Sequence, residues 1–201
     1  MALDAFLAEL LGEFPFVRVV PKQGWFWTVL DWLVRVLSLG RNQTFLTNYW
    51  TTIGPVIGHP AGQVLGDWAV PILRHERIHL RQTERTGFVV LAVLTLGLAL
   101  LGRRTGWMRA VAFFVGIVPC SLAYLLLPLP AGLAFCRYLM EREAYAESIR
   151  CALESGGLEA AIAAVDRAVE LLTGNSYVWT WPFPSSVRAW FDDQLTRAIG
   201  R

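Results

Sequence analysis

The sequence predicts a mainly α-helical single domain with one short β-strand region and an inserted apolar helical hairpin, on three observations. Helix-periodic segments dominate the chain, one stretch of β-branched and aromatic residues with Gly/Pro punctuation interrupts them, and two apolar runs flank a short basic tip. At 201 residues the chain is long enough for one domain with a real core. Its composition is 55% hydrophobic and only 17% charged, against roughly a quarter charged in soluble proteins, with a mean hydropathy of +0.44. Membrane contact is therefore expected. A net charge of +2, without a Lys/Arg run interleaved with aromatics, gives no nucleic-acid footprint. Cys120, Cys136 and Cys151 show no CxxC spacing and are read as buried thiols. The opening MALDAFLAELLGEFPF carries Asp4, Glu9 and Glu13 where a cleaved signal would be basic, so none is expected.

Residues 1–20 read as a short amphipathic segment punctuated by Pro15 and Pro21. Segment 24–40, GWFWTVLDWLVRVLSLG, is rich in aromatics but holds Asp31 and Arg35 one turn apart, able to pair. Charges inside a spanning helix are costly, so this one is expected to lie in a membrane interface. Residues 43–59 lose the helical period and form the strand region. Pro71 suits the first turn of a helix over 72–102 that starts near Ile72 and continues into FVVLAVLTLGLALLG. The tip Gly102 to Gly106 turns the chain, and 108–130 runs back. Together the arms are expected to form a transmembrane hairpin, although the first is short for a full span; a hairpin buried in a protein core is the alternative. A helix over 131–155 ends at Gly156-Gly157, and 158–201 supplies another helix, an aromatic loop and a last helix N-capped by Ser185 or Ser186.

The chemistry lies in His75-Glu76-Arg77-Ile78-His79. Histidines four apart on a helix face the same side and can share one ion, which suits Zn²⁺. Glu76 is placed to take the proton of a zinc-activated water. A solvated polar helix is the bland reading, since Arg74, Arg77, Arg81 and Arg85 crowd the same stretch. A catalytic zinc needs a third protein ligand. Glu143 is the preferred candidate, because Glu143 and Glu147 share a helix face, so one can bind metal while the other orients a ligand histidine. Glu141 competes from a different face. His59, beside Pro60, is read as structural. Tyr177 is a candidate donor to a developing oxyanion, or else part of an aromatic cluster with Trp179 and Trp181.

These residues resemble the gluzincin metallopeptidases, in particular the membrane-embedded CAAX-prenyl-protease and heat-shock-protease family. That family's second motif is Glu-x-x-Ala-Asp, and Glu143-Ala144-Tyr145-Ala146-Glu147 is similar to it with a final Glu. The resemblance covers about 72–150 and implies a zincin-like core with an inserted transmembrane hairpin, His75, His79 and Glu143 as zinc ligands, and Glu76 as base. Zincins generally hold an extended peptide on an edge strand beside this helix, a role for which 43–59 is correctly placed; covering the core is the alternative.

The expected function is thus zinc-dependent hydrolysis of a peptide or protein substrate at a membrane. The arginines near the hairpin ends outnumber Arg103, Arg104 and Arg109 at the tip, which puts the expected site on the cytoplasmic side. Two rivals are a non-catalytic membrane interaction subunit of a larger complex, in contact with lipid and protein partners, and a zinc hydrolase acting on something other than peptide.

Overall fold

The computed structural model describes residues 2–37, 40, 43–94, 106–125, 134–174 and 183–200. Helix α1 (Leu3–Glu13) turns Phe6 and Leu10, four apart, into the core, and Phe14 follows them. Strand β1 (Arg18–Pro21) comes next, then α2 (Trp25–Leu37) and the one-turn helix α3 (Phe45–Asn48). Strands β2 (Thr51–Ile53) and β3 (Val56–His59) form a hairpin through Gly54 and Pro55, with Gly54 at φ +54°. A 3₁₀ turn at Asp67–Ala69 leads into α4 (Val70–Leu94), followed by α5 (Gly106–Leu125), α6 (Ala134–Thr173) and α7 (Pro184–Ile199).

The sheet order is β1-β3-β2, with β3 parallel to β1 and antiparallel to β2. The expected strand region is therefore two short strands preceded by a helical turn. Phe45 turns inward at that turn, and its carbonyl accepts a hydrogen bond from the buried Lys22 ammonium. Strand β2 is an edge and packs against α4.

Two apolar cores result. Phe6, Leu10, Phe14, Ile57, Leu73, Leu80 and Phe113 join α1, the sheet, α4 and α5. Tyr138, Val165, Leu172, Val187 and Phe191 join α6 to α7. Gly157, at φ +71° and ψ −165°, has non-helical backbone, so the expected break falls there and α6 is two helical stretches that meet at a kink. Helix α7 starts at Pro184 in its first turn with Phe183 in the capping position, which corrects the expected cap at Ser185 or Ser186. The thiols of Cys120 and Cys151 are buried and that of Cys136 is half-buried, and none forms a disulfide.

Helix α2 forms where expected, and Asp31 pairs with Arg35 at 2.7 Å. The transmembrane hairpin is corrected. Among the described residues, no helix is long and apolar enough to cross a membrane. Residues 95–105 and 126–133, which hold most of the tip and the ends of both arms, lie outside the described residues, and α4 and α5 cross closely. At Gly87 an added Cβ would lie 1.5 Å from the Ala112 carbonyl oxygen, and at Gly116 one would lie 1.9 Å from that of Thr83. Met108, Ala112, Phe113 and Cys120 bury the inner face of α5, and Arg109 near its start pairs with Glu84 of α4 at 2.8 Å. The opposite face of α5 leaves Trp107, Phe114 and Val118 exposed. The expected membrane localisation falls with the hairpin. So does the cytoplasmic placement drawn from arginines, which presupposed that hairpin.

Candidate metal centre

Helix α4 carries the two histidines on the face turned toward α6. Apolar Leu73 and Leu80, both fully buried, fix the rotation of α4 against α1 and the sheet. That rotation leaves His75 and His79 side by side, with ring centroids 5.2 Å apart. On α6 the small residues Ala144 and Cys151 are buried and let the helices approach, and Glu141 lies on that same side at 3% side-chain exposure.

His75, His79 and Glu141 can hold a metal ion: one ligand atom from each lies within 4.8 Å of the others. Glu141 Oε2 is 3.6 Å from His75 Nε2 and 3.8 Å from His79 Nε2. Those separations are long for hydrogen bonds but suit donors that each stand about 2.0–2.2 Å from a shared ion.

Each imidazole is oriented through its other nitrogen. His75 Nδ1 lies 3.1 Å from Ser148 Oγ, whose hydroxyl donates to the Ala144 carbonyl at 3.4 Å. His79 Nδ1 lies 2.9 Å from Gln82 Oε1, and the Gln82 amide donates to the Met140 carbonyl at 2.8 Å. With Nδ1 as donor in both rings, both Nε2 lone pairs point at Glu141, the tautomer a metal requires. Burial favours neutral His75, yet the Glu141 and Glu76 carboxylates more than offset it, so its pKa is raised. The cluster is thus electrostatically prepared for a cation.

Glu76 is 5% exposed, and its Oε2 accepts a 2.6 Å hydrogen bond from Thr52 Oγ1 on β2. The edge strand and the candidate base are therefore coupled directly. Tyr145 packs its ring against His75, with centroids 4.9 Å apart and planes at 83°.

The group that can hold an ion contains Glu141 where the sequence reading preferred Glu143. The Glu143 side chain is 46% exposed, takes a 3.1 Å hydrogen bond from Gln82 and pairs with Arg85 at 3.7 Å. Glu147 does not orient a histidine but accepts from Arg74 Nε at 2.7 Å and pairs with Arg150. Ser148 and Gln82 fill that orienting role. The Glu-x-x-Ala spacing also runs from Glu141 to Ala144, two residues earlier than the expected register, with Tyr145 in the position of the final acid. His59 is buried against Trp50, with its Nδ1 3.0 Å from the Pro60 carbonyl. Tyr177 lies outside the described residues.

Ser148, Gln82, Tyr145 and Thr52 were missed in the sequence. A signal existed for three of them, since Gln82 follows His79 by one turn, and Tyr145 and Ser148 follow Glu141 by one and two turns on its own face. In comparisons with known proteins the chain matches no family model, no curated protein and no solved structure.

Proposed function

We propose that this chain is a zinc-dependent peptidase with His75, His79 and Glu141 as ligands and Glu76 as general base. The observation that carries the reading is the convergence of Glu141 Oε2 on both Nε2 atoms, beside a glutamate tied to an edge strand. Two imidazoles and one carboxylate form a common catalytic zinc set that leaves a fourth position open. Zinc, when bound, lowers the pKa of a water and polarises the scissile carbonyl.

The chain's own groups do the rest. Glu76 accepts a proton from the attacking water and returns it to the leaving amine, so one carboxylate serves both halves of the reaction. The Thr52 hydroxyl holds Oε2 of Glu76 and leaves its other oxygen available for that exchange. Among the described residues strand β2 pairs with β3 on one side only, and its other side suits an extended substrate backbone, which favours peptide over other acyl substrates.

Glu76→Gln is the direct test. It is expected to keep one equivalent of zinc and to lower kcat by about 10²-fold or more, the usual scale for removing a general base. Cleavage at the wild-type rate would remove Glu76 from the mechanism. A wild-type protein that binds zinc yet cleaves no peptide, while hydrolysing a small ester or amide, would favour a non-peptide hydrolase.

A further inference from the structure

Lys22 is the first residue after β1 and is only 3% exposed. Its ammonium donates to the Phe45 carbonyl at 2.9 Å and to Thr51 Oγ1 at 2.7 Å, and lies 3.8 Å from the Phe45 ring centroid. Among the described residues, no carboxylate comes within ion-pair distance of it. Burying an ammonium on these terms is costly. Desolvation pushes its pKa down to about 7, against the opposing fields of Glu76 and Asp31. A methionine of similar length would fill the space without that cost but could donate neither hydrogen bond, so the donor itself has a task there.

The contacts of Lys22 define the task. Thr51 and Thr52 are consecutive in β2, so their side chains leave opposite faces of the sheet. Thr51 is gripped by Lys22 on one face, and Thr52 holds Glu76 on the other. Strand β2 has only three residues and, among the described residues, pairs on one side, so few ladder hydrogen bonds fix it. We propose that Lys22 is a positioning residue, setting the edge strand β2 from behind and, through Thr52, the orientation of Glu76. The catalytic part of this inference rests on the peptidase reading; the placement of β2 does not.

The test uses the full-length zinc-loaded protein and compares wild type, Lys22→Met, Lys22→Arg and Thr51→Val. Lys22→Met is expected to retain zinc while the β2 amides exchange with deuterium about tenfold faster, a fold-change on the scale of one lost hydrogen bond. On a peptide substrate it is expected to raise KM and lower kcat, each by about tenfold, because strand and base move together. Simple loss of folded protein would lower apparent kcat alone. Lys22→Arg supplies hydrogen-bond donors again and is expected to recover most of both. If Lys22→Met does not fold, Thr51→Val keeps the ammonium and is expected to give the same faster exchange. Unchanged exchange in β2 for both Lys22→Met and Thr51→Val would overturn the proposal. Wild-type protein that cleaves no peptide would overturn the peptidase reading, and the exchange data would still decide the role of Lys22.

Discussion

Gln82 lies 2.9 Å from His79 Nδ1 through its Oε1 while its own amide donates to the Met140 carbonyl, so one side chain spans from the second histidine to the helix that carries Glu141. Ser148 does the equivalent for His75 from the opposite direction. Alignment of both Nε2 atoms therefore depends on hydrogen bonds between α4 and α6. Gln82→Leu and Ser148→Ala are each expected to weaken zinc binding by about 10- to 100-fold, as outer-shell substitutions do. Competition against a chelator of known affinity checks this, with thermal unfolding of the zinc-free protein as the control for stability.

The crossing of α4 and α5 gives a stability prediction that does not depend on metal. A side chain at Gly116 would collide with the Thr83 carbonyl, a backbone atom that cannot rotate away. Gly116→Val is expected to destabilise the protein by about 3 kcal/mol or more, at or beyond the upper range for overpacking. Urea unfolding should show the midpoint falling, whereas Gly62→Ala, in open space at positive φ, should cost less.

The raised pKa of His75 fixes the sign of a pH dependence. In the zinc-free protein the protonated imidazole is favoured by folding, so its contribution to stability is fully present below the ordinary value of about 6.5. That contribution disappears as pH rises through the raised value. Zinc requires the neutral ring, so zinc affinity is expected to move the other way and to fall as the solution is acidified. Unfolding free energies across this range for zinc-free wild type and His75→Gln should differ most at acid pH and converge toward alkaline pH. Convergence at acid pH instead would reverse the assignment.

Much of this arrangement could be read from the sequence, and the misreadings have physical causes. The pair His75 and His79 is legible because two candidate ligands four apart on one helix need no tertiary information. The third candidate does need it. Glu141 and Glu143 differ only in which face of α6 they occupy, and that face is chosen by Ala144 and Cys151, whose small side chains admit α4. Preference for Glu143 rests on its sharing a helix face with Glu147, whereas the packing of small residues selects Glu141. The apolar runs were misread as membrane spans because composition does not reveal that Gly87 and Gly116 bring the two helices into backbone contact, with Phe113 buried at the same crossing. The grip of Lys22 on β2 joins residues far apart in the chain, and no local pattern announces it.

Zinc titration of Glu141→Ala and Glu143→Ala, side by side with wild type, tests the ligand set most directly. Wild type and Glu143→Ala are expected to bind one equivalent with similar affinity, and Glu141→Ala to lose tight binding. Zinc held as firmly by Glu141→Ala as by wild type would contradict the convergence of His75, His79 and Glu141 on a single ion.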